Sequence, residues 1–207
     1  MRHYHPTLNR HVETHSVSVP KTLLQLAGAD LTPSKVRDAC LVLIDIQNEY
    51  LDGPIAVGDP GAAIANAKRL LEAARSSSAP VLHIAHKGRA GGLFDRDAAR
   101  GQIVTALTPL PDEAVIEKTL PNAFANTELQ ARIAATDRNN LVLAGFMTHM
   151  CVSSTARAAL DLGYRVTVAA DACDTRDLPN GRGGTVTADV INDVALVELS
   201  EIGRAHV

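Results

Sequence analysis

From Cys40 onward the chain is divided into short apolar runs at nearly regular intervals, and this feature constrains the fold more than any other. The runs are Leu41–Ile46, Val81–His86, Ala114–Glu117, Leu141–Phe146 and Arg165–Ala170. Their interiors are almost continuously apolar instead of alternating, which suits strands covered on both faces of a parallel sheet. The stretches between them carry helical periodicity. Ala63, Ile64, Ala67, Leu70, Leu71 and Ala74 form one stripe of an amphipathic helix. Thr127–Gln130 reads as a capping box opening a helix to about Ala135. Val152, Thr155, Ala156, Ala159 and Leu160 stripe another helix, closed by Gly163. A last helix is expected over 188–201, with a short strand at 205–207. Strand–helix alternation predicts a three-layer α/β/α sandwich with right-handed crossovers. Composition agrees, because the chain is 46% hydrophobic but only 3% aromatic, so its core must be aliphatic.

Residues 1–39 differ from the rest. They are polar, contain Pro6, Pro20 and Pro33, and hold four of the eight histidines, His3, His5, His11 and His15. We expect an N-terminal arm, solvated or packed on a neighbouring subunit, with the patch Leu23, Leu24, Leu26 and Ala27 available to dock. Free spacing in an extended segment does not define a metal site. The domain proper is expected at 40–207.

Several function classes are excluded early. A net charge of −3 and few aromatics disfavour nucleic-acid binding. No apolar run approaches the roughly 18 residues that a membrane helix needs. Neither G-x-G-x-x-G after the first strand nor G-x-x-x-x-G-K-[ST] occurs, and no cofactor is expected. Cys40, Cys151 and Cys173 are too few and too scattered for a disulfide framework or a zinc knuckle. Without an apolar leader at the N-terminus, a soluble cytoplasmic protein with free thiols is expected.

Ligands of open parallel sheets bind beyond the carboxyl ends of the strands. The first run leads into Asp45, an acid in an apolar setting that is either a backbone-bonded structural residue or a general base with a raised pKa. The third leads into Lys118, a surface cation unless a carboxylate meets it. The fourth leads through Gly145 to Cys151 in an expected first helical turn. There the helix dipole would lower a thiol pKa and free amides could hold an oxyanion. An inert packing thiol is the other reading of Cys151, as of Cys40 and Cys173. Taken together, the three define a nucleophile, a base and a cation at one edge.

In VLIDIQNEY (42–50), the lysine of VIEKTLPNAFANTEL (115–129) and LVLAGFMTHMCVSSTARAALDLGYRVTVAADAC (141–173), the chain resembles the isochorismatase-like cysteine hydrolases. The resemblance covers about residues 40–207. It implies a six-stranded parallel sheet, an Asp45–Lys118–Cys151 triad, and a cis peptide at Phe146–Met147 that brings the amides of Met147 and Cys151 into an oxyanion hole. It also implies a homo-oligomer, dimer or tetramer. Asn192 departs from the family, whose members often have histidine there. The retained cysteine favours cleavage of a C–N bond (amide, carbamoyl or ureide) through a thioester. The alternatives are a vinyl ether hydrolase of the isochorismatase type and a catalytically silent binding module. A redox sensor at Cys151 is a further reading, weakened because no resolving cysteine lies close in sequence.

His83 and His86 replace the Asp-x-His metal pair of nicotinamidases and should face opposite sides of their strand, so no metal is expected. Candidate substrate contacts are Gln47, Asn48, Tyr50, His86, Phe124, Phe146 and His149, the last also a second candidate for the base. Gly88–Gly92 is expected to be a mobile loop over the pocket. Tyr50, Phe94, Phe124 and Phe146, four of six aromatics, are expected around one pocket for a small, partly apolar substrate.

Overall fold

A computed structural model describes residues 19–206. The elements run in chain order α1 (Leu23–Leu26), β1 (Cys40–Ile44), α2 (Pro60–Ser76), β2 (Val81–His86), β3 (Ala114–Lys118) and α3 (Leu129–Ala134). They continue with β4 (Asn140–Phe146), α4 (Ser153–Asp161), β5 (Arg165–Asp174), a small hairpin β6 (Leu178–Pro179) and β7 (Thr185–Val186), α5 (Ala188–Ser200) and β8 (Arg204–His206). The main sheet has the order β3-β2-β1-β4-β5-β8, with every neighbouring pair parallel. A six-stranded sheet was expected, with a short last strand at 205–207. Five carry the sheet, and the sixth position holds only the three residues of β8 at the outer edge. His3, His5, His11 and His15 lie outside the described residues.

The two faces of the sheet explain why the runs do not alternate in polarity. Leu41 and Leu43 of β1 point to one face, where Ala63, Ala67, Leu71 and Ala74 of α2 cover them. Cys40, Val42 and Ile44 point to the other, against Leu129 and Ile133 of α3, Ala156 and Ala159 of α4 and Leu199 of α5. Every residue of β1 is thus buried although successive side chains take opposite sides. A buried Leu or Ile of this kind contributes about 2 kcal/mol relative to exposure. Three layers result, as the strand and helix pattern predicts.

Local chemistry sets the helix ends. Asp59 caps α2 by accepting from the Ala62 amide at 3.0 Å, and Pro60 occupies its first turn. α4 ends where the Tyr164 amide bonds the Ala159 carbonyl at 3.0 Å, with Gly163 at φ +85°. The capping box at Thr127 does not form. Its hydroxyl donates instead to the Ala123 carbonyl at 2.5 Å and accepts from the Leu129 amide, so α3 starts at Leu129 with Glu128 as an N-cap whose side chain makes no capping bond. Between 19 and 39, the Leu23 amide bonds Glu201, the Ser34 amide bonds Thr167 and Arg165 pairs with Asp30 at 2.8 Å. These contacts lie along the β5–β8 side.

The chain builds outward from β1 in both directions. β2 and β3 lie on one side and β4, β5 and β8 on the other, so the order reverses between β1 and β4. That reversal leaves a crevice beyond their carboxyl ends. Gly145 is what lets β4 close against β1 there. A Cβ at this position would sit 2.0 Å from the Ile44 carbonyl oxygen, and its φ of +135° disfavours any other residue.

At the opposite end of the sheet, Glu113 bonds Arg75 through both oxygens at 2.8 Å and His83 Nε2 at 2.9 Å, tying α2 to β2 and β3. Burial pushes this carboxyl up, but Arg75, the Leu110 amide and His83 outweigh it and hold the group at about 2. A depressed carboxyl stabilises the fold above its unfolded pKa, and the contribution is lost as pH falls through the folded value. Glu113→Gln should therefore cost about 1–3 kcal/mol near neutral pH. Chemical denaturation of both proteins should show the gap shrinking as pH is lowered from 5 towards 2.

Candidate active site

Four strand ends meet at the crevice. Asp45 follows β1 directly with φ +52°, so the strand stops at Ile44 and the acid turns off the sheet instead of continuing it to Ile46. His86 closes β2 and Lys118 closes β3, paired in register with one another. Cys151 follows β4. All three groups singled out as nucleophile, base and cation are buried: Asp45 is 0%, Lys118 2% and Cys151 1% exposed.

Lys118 is the hub. Its Nζ lies 2.5 Å from Asp45 Oδ2, 3.3 Å from Cys151 Sγ and 3.3 Å from His86 Nδ1. An ammonium has three N–H donors and no acceptor, and this one faces three acceptors. Burial raises the Asp45 pKa, partly offset by the Lys118 charge and by hydrogen bonds. Burial, and then the Asp45 charge, pushes the Cys151 thiol up to about 12. The lowered thiol pKa anticipated from a helical first turn is therefore overturned. Desolvation and the Asp45 charge raise it, and the local structure is a one-turn π-helix at Thr148–Val152 ahead of α4.

The Phe146–Met147 peptide is cis. Beyond it, the Met147 carbonyl accepts from the amides of Met150 and Val152, leaving the Cys151 amide out of that pair. The Thr148 hydroxyl is buried without a partner among the described residues.

The remaining candidates separate. Tyr50, Phe94, Phe146 and His86 form a connected aromatic group, with ring centroids 5.2 Å (Tyr50–Phe94), 5.5 Å (Tyr50–Phe146) and 5.0 Å (His86–Phe94) apart. Phe124 is not among them, because it stacks on Tyr164 in the core of the opposite face. Gln47 faces inward. Its amide donates to the carbonyls of His86 and Gly101 and accepts from the His86 amide, so it clamps the end of β2. Asn48 bonds the Ala99 carbonyl. His149 bonds Thr175 at 2.6 Å and lines a groove of about 200 Å³ with Val186, Val190, Ile191 and Val194. It makes no hydrogen bond or ion pair with Asp45, Lys118 or Cys151. His83, as alternation requires, points away to Glu113.

The glycine-rich loop is bound down. Gly88 bonds the Phe94 carbonyl, Gly91 bonds Asp95, and the buried Glu49 accepts from the Phe94 amide at 3.1 Å and from Arg100 at 2.9 Å. A Cβ on Gly88 would lie 1.8 Å from the Leu93 carbonyl oxygen. The role of Glu49 escaped sequence reasoning, since an acid five residues past a strand carries no signal of what will fold over it.

A parallel α/β sheet with a carboxylate, an ammonium and a thiol buried at its switch point defines an enzyme-type site. The chain belongs to the isochorismatase family of hydrolases, whose Isochorismatase domain model matches residues 39–189. It is 36% identical over 178 residues to the secreted isochorismatase effector Isc1 of Verticillium dahliae, covering 86% of this chain and 91% of that protein. It is 29% identical to the ureidoacrylate amidohydrolase of Cronobacter sakazakii over 72% of this chain and 66% of that one. The crystal structure of an isochorismatase from Pseudomonas putida superposes with a TM-score of 0.87 at 41% identity, covering 90% and 96% of the two chains. Among the described residues no helix is long and apolar enough to cross a membrane, and the three cysteines are free and buried.

A thiol held up at about 12 should react slowly with iodoacetamide at pH 7, with a rate still climbing beyond pH 9. Mass spectrometry of Cys151 across pH 6–10 checks this. A plateau below pH 8 would mark a far more acidic thiol.

Proposed function

We propose that this protein is a cysteine-dependent hydrolase of small molecules that cleaves a C–N bond of an amide, carbamoyl or ureide through a thioester. The observation that carries the reading is the single buried ammonium of Lys118 in contact with both Asp45 and Cys151. Ionising a buried thiol into solvent is opposed by burial. Moving its proton to Asp45 is different, because one anion stands beside Lys118 before and after, and the net charge of the trio does not change. Asp45 is thus the base that fits this setting.

The steps follow from that exchange. Cys151 Sγ, freed of its proton, attacks the carbonyl carbon, and the oxygen takes up negative charge facing the amides of Met147 and Cys151. The C–N bond breaks, and Asp45 returns its proton to the departing nitrogen as ammonia or amine. Water, deprotonated by Asp45, then attacks the thioester, Cys151 leaves as a thiolate that recovers its proton from Asp45, and a carboxylic or carbamic acid is the product. Oxyanion donors of this kind contribute about 2.7–4 kcal/mol to lowering a barrier. Tyr50, Phe94 and Phe146 favour a small, partly apolar substrate. The amidohydrolase among the relatives supports C–N chemistry, and the retained Cys151 favours it over vinyl ether cleavage.

Ammonia release across a panel of primary amides, carbamoyl compounds and ureides identifies the productive class. Cys151→Ala should abolish release while leaving the thermal unfolding midpoint nearly unchanged, and undiminished turnover in that variant would remove the nucleophile. Asp45→Asn should also inactivate. Because burial raises the Asp45 pKa, the acid limb of kcat/KM should lie above the usual carboxylate range, with activity lost as pH falls through it.

A further inference from the structure

His86 is the residue through which the buried trio meets the outside. Among the side chains joined by contacts to Lys118, Asp45 and Cys151 are sealed, whereas His86 is only half-buried. Its Nδ1 receives Lys118, while its Nε2 has no partner among the described residues and is not among the buried unpartnered atoms. A lysine has no lone pair to offer while it is charged, so Nδ1 must accept and the ring proton must sit on Nε2. The ring is fixed from two more directions. Gln47 holds the backbone of His86 at both its amide and its carbonyl, and Phe94 packs on the imidazole at 5.0 Å. Burial and the Lys118 charge keep the ring neutral, with its pKa lowered to about 4.

We propose that His86 is a specificity-determining residue, whose Nε2–H donates to a second, uncharged carbonyl oxygen of the substrate while Cys151 attacks the scissile one. This rests on the amide-hydrolase reading above and narrows its substrate class to neutral amides or ureides bearing another carbonyl group. Lys118 touches both His86 and Cys151, so the imidazole stands within one small-molecule length of the sulfur. A carboxylate in that place would lose its hydration against Phe94 and Tyr50, and the nearest ammonium, that of Lys118, is already paired with Asp45. Lys87, Arg96 and Arg100 on the adjoining loop are committed to Glu117, Glu117, and Glu49 with Asp52.

Three substitutions separate the two nitrogens. His86→Gln places an amide near the Nε2 position, His86→Asn places one near Nδ1, and His86→Phe keeps the ring without either. The probes are malonamide, succinamide and glutaramide, each matched with its half-acid. Binding is measured by NMR titration on a Cys151→Ala background, so the result does not depend on turnover. The parent should favour at least one diamide over its half-acid by about tenfold or more, equal to about 1.4 kcal/mol. His86→Gln should keep that preference, and His86→Phe and His86→Asn should lose it. In the Cys151 enzyme, any diamide turned over should show a raised KM in His86→Phe and His86→Asn but not in His86→Gln. The proposal is overturned if no diamide binds, if His86→Phe keeps the preference, or if His86→Asn keeps it and His86→Gln does not. That last result would mean that His86 acts only through Lys118. Turnover that survives Cys151→Ala would instead sink the hydrolase mechanism and leave the binding result standing.

Discussion

The burial of one ammonium governs this structure. Lys118 ends an edge-side strand with its Nζ in the interior, where an unpaired charge would cost several kcal/mol even after relaxation. It is stabilised only because three acceptors from three other strand ends reach it together. Those acceptors fix where β1, β2, β3 and β4 must stop. Asp45 leaves the sheet at the residue after Ile44, His86 and Lys118 close their strands in register, and Gly145 allows β4 to approach β1 closely enough for Cys151 to arrive. The geometry of the crevice and the charge balance of the trio are one constraint.

Around that centre the protein adds rigidity. Gln47 binds the end of β2 and the Gly101 carbonyl at once, and Glu49 holds both Phe94 and Arg100. Tyr50, Phe94 and Phe146 complete a wall of rings beside His86. In the proposed mechanism, preorganised surroundings of this kind let a proton move between Asp45 and Cys151 without reorganising solvent, which is where electrostatic catalysis finds its advantage. In the proposed reaction a thiol activated by its neighbour does not need a low pKa in the free protein, which agrees with the raised pKa of Cys151.

Much of this was legible in residue order. The apolar runs mark five strands, and their lack of alternation tells of a sheet covered on both sides. The residue after each run is where chemistry gathers in such sheets, which is how Asp45, Lys118 and Cys151 stand out. Errors arose where a local signal met a tertiary competitor. Thr127 has the spacing of a capping box, but its hydroxyl closes the turn from Ala123. Phe124 lies near Lys118 in sequence, but Tyr164 stacks on it in the other core. Glycines at 88, 91 and 92 suggest mobility, yet Gly88 is required by a tightly packed turn.

The sequence by itself determined the layers, the parallel sheet and the three strand-end groups that meet in the crevice, because periodicity and strand-end position follow from backbone geometry alone. Only the tertiary structure decided the state of those groups. Whether a thiol is acidic, a histidine neutral or a glutamine a clamp depends on what is brought within a few ångströms from distant parts of the chain. Burial and partners, not residue type, push the Cys151 thiol up and the His86 ring down from their ordinary pKa values.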